Sequence, residues 1–433
     1  MTPISVGLIG LAVLFLLLAL RCPIGIGMGL VGFAGLVYLL SGPAALMKMA
    51  IVPFGTVHNY HLTVLALFLL MAQVASVSGI TDELYNAASK WLGHLPGGIG
   101  LATIGACGIF AAVSASSIAT AVTMGLVALP EMRKYKYDPA LATGCIAAGG
   151  TIGSLIPPSG VLIIYGILTE QSIGKLFIAG IVPGILEALG YMAMIYLLCR
   201  WRPKLGPRRP SSTMREKVAA LGGCGEIIAL VIFVISGLMI GWFTPTEAGA
   251  VGSFGVIVLT LIRRRLTWRK FVQATVDTMK TTGMIFSILI GALVLNFFLA
   301  VTNIPFVLSE FAASLAVPPL AIMGFVALTY FILGCFIDAA AMIYLTVPIF
   351  YPLVANLGFD LIWFGIFVVK VQEIAMITPP VGINVYAISG VVKDVPMQTI
   401  FKGIVPFVFV DIILLAIIMF FPEAIMYLPN LLG

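Results

Sequence analysis

The sequence contains few charged residues. Only 9% of its 433 residues are charged and 61% are hydrophobic, whereas a soluble domain carries about 25% charged residues. The mean hydropathy is +1.16, and apolar runs of about 17–25 residues, each long enough to cross a bilayer, recur from end to end. The composition therefore excludes a large soluble domain and predicts an all-α polytopic membrane protein.

The residues that most catalytic sites need are also scarce. Six cysteines are scattered without a CxxC pair and there are three histidines, so neither a disulfide framework nor a zinc site is indicated. HExxH, GxSxG and Walker sequences are missing, which argues against an enzyme or a nucleotide-driven pump. The net charge of +6 comes from Lys and Arg clustered between the apolar runs, and it predicts no binding of nucleic acid.

A pair of prolines inside an apolar run occurs twice. Pro157-Pro158 precedes Gly160, and Pro379-Pro380 precedes Gly382 222 residues later. Adjacent prolines break a helix, and in lipid the freed backbone groups must be satisfied by protein or by a polar cavity. A proline kink without a ligand is the alternative. Broken helices at matching places in two halves instead indicate the binding site of a transporter.

Other prolines repeat at the same offset, which indicates two copies of one unit. They are Pro23 and Pro245, Pro96 and Pro318, and Pro130 and Pro352. Residues 1–202 form the first predicted copy, a basic cytoplasmic linker covers 203–222, and the second copy covers 223–433. Each copy contains a re-entrant hairpin (about 97–130 and 319–352) and a broken helix (about 138–170 and 360–392). Five crossings per copy is an odd number, so we predict an inverted-topology repeat with about ten spans.

The distribution of positive charge gives an orientation. With both termini outside, most of the 23 Lys and Arg, Arg21 included, fall on the inside, as the positive-inside rule requires. Two further stretches, 42–58 and 264–281, fit neither a span nor a tight loop. They are either amphipathic arms along the interfaces or ordinary long loops.

Oxygen-bearing side chains gather at the predicted hairpin tips and helix breaks. Unwound carbonyls at half-helix C-termini suit Na⁺, and half-helix N-termini attract a carboxylate. Serine and threonine at such places also cap helices or serve helix packing, so both interpretations stay open for each hydroxyl. Asp338 is a functional candidate because a carboxylate within a membrane is costly. Lys370 and Glu373 lie three residues apart, and they form either a structural ion pair or part of a ligand site.

Several long motifs resemble a known family. They are Ala112–Thr120, Leu129–Met132, Gly149–Ser159 and Leu176–Gly184, with Asp338 and Glu373–Asn384 in the second half. Together they resemble the large membrane subunit of tripartite ATP-independent periplasmic (TRAP) transporters over essentially the whole chain. One departure is Ala115, at the first hairpin tip, where many relatives carry glycine.

The resemblance implies the fold of the ion transporter superfamily and an elevator mechanism in the bacterial inner membrane. It implies Na⁺-coupled uptake of an organic acid anion, such as a dicarboxylate, sialic acid or another sugar or keto acid. The implied partners are a periplasmic (P-type) binding protein, membrane lipid and a small four-span (Q-type) membrane subunit. Because the chain starts directly on the first span, we expect the small subunit to be a separate protein. A stand-alone Na⁺- or H⁺-coupled carboxylate symporter is the alternative, and a channel is a third class.

The resemblance also implies the positions of the ligands. One sodium ion would join the first hairpin tip to the first break, and another would join the second tip to the second break, with substrate between them. The implied metal ligands are Ser114, Ser116, Gly153, Pro157, Asp338, Thr378 and Gly382. The predicted substrate-binding residues are Ser116, Ser117, Thr120, Ser159, Gly160 and Asn384.

Overall fold

A computed structural model describes residues 2–20, 22–114, 116–314 and 317–432 of the chain, so the predictions for Arg21 and Ala115 fall outside the described residues. The described residues form α-helices and short 3₁₀ turns, with no strand among them. Within these ranges the α-helices, in chain order, are α1 Pro3–Ala19, α2 Ile24–Leu39, α3 Gly42–Val57, α4 Thr63–Val77, α5 Ile80–Leu92, α6 Gly98–Ser114, α7 Ser117–Lys134, α8 Pro139–Thr151, α9 Gly160–Thr169, α10 Ile173–Trp201, α11 Met214–Met239, α12 Pro245–Ile262, α13 Trp268–Val301, α14 Ile304–Ser314, α15 Pro319–Gly334, α16 Ala339–Asn356, α17 Leu361–Ile377, α18 Ile383–Val391, α19 Met397–Phe420 and α20 Pro422–Leu432.

Many of these helices are apolar on their outer faces as well as on their inner ones. In the described part of the chain, 7 helices are long and apolar enough to cross a membrane, and further apolar helices of 10–17 residues accompany them. Large hydrophobic side chains such as Leu16, Phe254 and Ile262 are exposed, which suits contact with lipid rather than with water. The chain is therefore an all-helical, multi-span membrane protein.

The first helix pair consists of α6 and α7, and the first break separates α8 from α9. Helices α6 and α7 are 17 and 18 residues long, longer than the arms of about 15 residues that the sequence suggests. Helix α8 ends in a 3₁₀ turn at Ile152–Ser154, and α9 begins only at Gly160. The non-helical stretch between them, residues 155–159, contains Pro157 and Pro158, and neither proline can continue a helix.

The second helix pair and the second break follow the same plan. Helix α15 is followed by α16, whose N-cap residue is Asp338. Helix α17 ends at Ile377, and α18 begins after Gly382, which has a φ of +62°. A left-handed backbone of this kind favours glycine. Both proline pairs thus separate a longer helix from a shorter one.

Corresponding helices of the two halves pack reciprocally. Helix α2 packs on α13 while α4 packs on α12; α8 packs on α19 while α10 packs on α17; and α7 packs on α18 while α9 packs on α16. The counterparts, about 222 residues apart, are α2 and α12, α4 and α13, α7 and α16, α8 and α17, α9 and α18, and α10 and α19. Exchanging each helix for its counterpart in the other half turns each pair into the other pair named with it. This is the pattern of self-complementary packing that a two-fold relation produces.

Two connections differ from the sequence prediction. The stretch 42–58 forms a separate helix, α3, but 264–281 continues directly into a single helix of 34 residues, α13. The second predicted arm is therefore not an independent element.

The linker between the two halves is shorter than the predicted range 203–222, because a capping box of Thr213 and Glu216 begins α11 at Met214. A serine or threonine followed three residues later by glutamate satisfies the first free N–H groups of a helix.

The packing of α8 on α19 depends on close backbone approach at Gly403. A Cβ atom at this position would overlap the carbonyl oxygen of Ala140. We therefore expect Gly403→Ala to separate the two helices and to lower the free energy of unfolding by about 1–3 kcal/mol. The matched control is Gly390→Ala on α18, where a Cβ atom meets nothing within 4 Å. Thermal unfolding of both variants in detergent measures the difference, and equal stabilities would contradict the packing.

Candidate functional site

A cavity of about 170 Å³ lies between the two helix-pair tips. It is lined by the starts of three helices: Ser116, Ser117 and Ile118 at α7, Gly160 and Val161 at α9, and Asp338, Ala339 and Ala340 at α16. Leu65 and Leu69 of α4, with Thr281, Met284, Ile285 and Ile288 of α13, form the facing wall. Hydroxyl groups of the first half and a carboxylate of the second thus meet a largely apolar wall in one small space.

The first tip is joined to the first break through hydroxyl groups. Ser117 Oγ lies 2.6 Å from Ser154 Oγ. The Thr120 hydroxyl donates to the carbonyl oxygen of Ser116 at 2.9 Å and lies 2.5 Å from Ser114 Oγ. Gly153 faces this cluster, because a Cβ atom there would lie 3.6 Å from Thr120 Oγ1. Oxygen atoms of the tip and the break are therefore close together, which is what a hard cation needs.

The second tip is joined to the second break in a similar way. Asp338 Oδ2 accepts a hydrogen bond from the Ala340 N–H at 3.1 Å. The Cys335 thiol, just before it in sequence, lies 3.6 Å from the carbonyl oxygen of Pro379. Asp338 is only partly buried, so its carboxylate borders the cavity instead of being sealed in the protein interior. Asp338 therefore caps α16 and also borders the space that a ligand could enter.

Three helix N-termini meet at this cavity. Each carries partial positive charge from its free N–H groups, so the starts of α7, α9 and α16 favour an anion. The side chain of Asp338 contributes the opposite charge. A site of this composition has groups for an anion and for a cation side by side.

Apart from Ser159 and Asn384, the predicted site residues divide into three sets. Ser116, Ser117, Gly160 and Asp338 line the cavity, and Ser114, Thr120 and Gly153 lie at the contact between the first tip and its break. Pro157 lies within the first break, Gly382 at the start of α18, and the Thr378 hydroxyl donates to the carbonyl of Ile374 at 2.5 Å.

Two residues that were predicted to bind substrate instead make hydrogen bonds within the protein. The Ser159 hydroxyl donates to the carbonyl of Ser154 at 2.5 Å, and its oxygen accepts from the Leu162 N–H, so this side chain caps α9. Asn384 is fully buried and donates to the carbonyl of Ala147 on α8. The cavity wall includes neither residue. Capping explains Ser159 better than contact with a substrate does.

A second polar cluster lies away from the cavity. Lys370 Nζ is 3.2 Å from Glu373 Oε2, as the i,i+3 spacing predicts, and it also lies 2.8 Å from Asp411 Oδ1 and 3.2 Å from Glu187 Oε2. All four side chains have 0% exposure. Sequence reasoning identified Lys370 and Glu373 and missed Glu187 and Asp411. Each of these two residues is a carboxylate inside an apolar run, and that feature of the sequence could have identified both as functional candidates.

Comparison with known proteins identifies the family. The sequence model of the family described as tripartite ATP-independent periplasmic transporter, DctM component, matches residues 11–424. The chain belongs to the DctM family. As a TRAP transporter large permease it is a transport protein and not an enzyme, as the resemblance implied.

Curated members of the DctM family align over nearly the whole chain. It is 34% identical to the C4-dicarboxylate TRAP transporter large permease protein DctM of Pseudomonas aeruginosa, covering 93% of this chain and 94% of that protein. It is 31% identical to the sialic acid large permease protein SiaM of Vibrio cholerae (94% and 95% covered). It is also 31% identical to the isethionate permease protein DctMQ of Oleidesulfovibrio alaskensis, covering 95% of this chain and 64% of that protein.

A solved structure supports the fold. The Alcanivorax borkumensis YdaH transporter superposes on this DctM-family chain with a TM-score of 0.60 over 88% of each chain, at 14% sequence identity. At this identity the likeness concerns the fold alone. It agrees with the multi-span helical architecture described above.

Proposed function

We propose that this DctM-family permease carries out Na⁺-coupled uptake of an organic acid anion that a periplasmic binding protein delivers. The observation that carries the proposal is the cavity between the two tips, where hydroxyl groups, a carboxylate and three helix N-termini meet. The cavity is the proposed substrate site, and Ser116, Ser117 and Gly160 are its proposed polar contacts.

The helix N-termini around the cavity support an acidic substrate. Helix N-termini favour a carboxylate without requiring an arginine or a lysine, and no Lys or Arg is among the described residues that line the cavity. Relatives are named for C4-dicarboxylates and for sialic acid. We infer that the substrate of this chain belongs to the same broad class of organic acids.

The oxygen atoms at the two tips support sodium as the coupling ion. The first proposed site combines Ser114 and Ser116 with Gly153 and Pro157. The second combines Asp338 with Thr378 and Gly382. Unwound backbone and side-chain oxygens are the ligands that hard cations prefer, and each tip contacts its own break.

The packing pattern supports an inverted repeat and an elevator movement. Reciprocal packing of corresponding helices indicates a two-fold relation between the halves, and an odd number of crossings per copy makes that relation an inverted one. The cavity lies between the tips and breaks on one side and α4 with α13 on the other. We propose that the tips and breaks move against α4 and α13, carrying substrate and ions together.

The length of one relative supports a small partner subunit. This chain covers only 64% of the DctMQ protein, so that relative has additional sequence of the kind that a fused small subunit requires. We propose that a four-span Q-type subunit and a P-type binding protein complete the system, within the bacterial inner membrane and with both termini of this chain periplasmic.

Uptake into proteoliposomes tests the proposal. Vesicles containing this chain and its small partner are expected to accumulate labelled substrate only from loaded binding protein and only under an inward Na⁺ gradient. Vesicles without the binding protein, and vesicles with a K⁺ gradient, are the controls. Uptake of free substrate by this chain alone would instead establish a stand-alone symporter, and ion conductance without coupling would establish a channel.

A further inference from the structure

The buried cluster around Lys370 carries more negative charge than its surroundings can balance. One ammonium group faces the three carboxylates of Glu187, Glu373 and Asp411, all with 0% exposure. If all three were ionised, the cluster would have a net charge of −2. Burial of uncompensated charge is strongly unfavourable, and like charges this close do not all ionise.

The hydrogen bonds identify the carboxylate that keeps its charge. Asp411 Oδ1 accepts from Lys370 Nζ at 2.8 Å and from the Tyr191 hydroxyl at 2.7 Å. Two donors on one oxygen stabilise the ionised form of a carboxylate. Lys370 and Asp411 therefore form the ion pair of the cluster, which leaves the two glutamates as its surplus.

Glu187 accepts a hydrogen bond from a hydroxyl group that also contacts the backbone. Thr151 Oγ1 lies 2.6 Å from the carbonyl oxygen of Ala148 and donates to Glu187 Oε1 at 3.1 Å. A hydroxyl group has one hydrogen, so these two acceptors share it. Glu187 therefore receives less hydrogen bonding than Asp411 does.

Glu373 has an incomplete set of partners for an ionised group. Its Oε2 accepts from Lys370 at 3.2 Å, while its Oε1, like Asp411 Oδ2, is buried without a hydrogen-bond partner among the described residues. Glu187 Oε2 likewise lies in ion-pair range of Lys370 but makes no hydrogen bond. An ionised carboxylate buried with a bare oxygen loses the full desolvation free energy of that atom.

We infer that the three carboxylates of this cluster together hold at least one proton in this conformation, so that the cluster on α10, α17 and α19 is a proton-binding site of the chain. A metal ion suits the cluster less well, because Lys370 already occupies its centre. In the part of the chain that the structure describes, no group of three or more His, Cys, Asp or Glu side chains is arranged to hold a metal ion. Of the titratable groups, Tyr191 and the four charged side chains face one another here. The inference does not depend on the proposed transport function.

Proton release on unfolding tests the inference directly. At pH 7 an unfolded glutamate is ionised, so denaturing the purified protein in weakly buffered sodium dodecyl sulfate with a pH indicator should release protons. Wild type is expected to release at least one proton per chain more than the Glu187→Gln, Glu373→Gln double variant. Glu131→Gln, which removes an ionised partner of Arg209, should match wild type.

Infrared spectroscopy provides a second readout that needs only the folded protein. Wild type at pH 7 should show the carbonyl stretching band of a neutral carboxylic acid, weakened in the double variant. Glutamine is isosteric with neutral glutamic acid, so the double variant is expected to fold. Equal proton release from wild type and the double variant, or a band that the two substitutions leave unchanged, would overturn the inference.

Discussion

Detergent-purified protein is expected to unfold at a higher temperature in NaCl than in KCl or choline chloride of equal concentration. A ligand that binds only the folded state raises the free energy of unfolding by about 2.7 kcal/mol when it is in hundredfold excess over its Kd. The proposed sodium sites join each tip to its own break, so a bound ion would hold these segments together. Thermal unfolding measures the effect without a substrate, a binding protein or a small subunit.

The substitution Asp338→Asn distinguishes an ion site from a helix cap. Asparagine retains a side-chain oxygen for the Ala340 N–H, so the cap on α16 survives while the charge is lost. We expect the variant to retain its stability in KCl and to lose a substantial part of the Na⁺-specific increase. Asp360→Asn is the matched control, because Asp360 caps α17 through the Ile362 and Trp363 N–H groups and does not line the cavity. Equal responses to Na⁺ in both variants would place the ion elsewhere.

Filling the cavity is expected to block transport with little loss of stability. Ala340 lies at the start of α16 and lines the cavity, so the larger side chain of Ala340→Leu would extend into space that the proposed substrate needs. Overpacking against a bound ligand costs about 1–3 kcal/mol, which corresponds to a decrease in substrate binding of about 5- to 150-fold. Initial uptake rates in proteoliposomes, at subsaturating substrate, measure the decrease.

The control for this variant makes the same chemical change on an outer surface. Ala250 lies on α12 and is exposed, so Ala250→Leu adds the same atoms where they contact lipid. Its uptake should equal that of wild type. If Ala340→Leu transports as well as Ala250→Leu does, the substrate site is not in this cavity.

The neighbours of Ser117 and Ser159 favour different choices between the two interpretations that the sequence left open. Both residues precede or begin a helix, so both fit a cap. Ser117 lines the cavity and contacts Ser154, whereas Ser159 turns towards the Ser154 carbonyl and the start of its own helix. Local sequence gives the tendency to cap, but the direction of the side chain depends on which helix packs alongside.

The sequence by itself determined the class of protein and the positions of its breaks. Low charge and repeated apolar runs leave only a lipid environment for the helices, and the prolines at 157–158 and 379–380 remove the backbone donors that a continuous helix requires. These are local or compositional effects, so they can be inferred without knowing any contact. The resemblance to the TRAP large subunit rests on motifs of the same local kind.

Only the tertiary structure decided which residues meet. Asp338 borders the same cavity as Ser116, although they come from different halves, and Lys370 is surrounded by carboxylates from α10 and α19 as well as its own helix. The period of a helix shows which residues share a face, but not which distant helix covers that face. Membrane helices that are apolar on all sides carry little of this information, so packing between the two halves had to supply it.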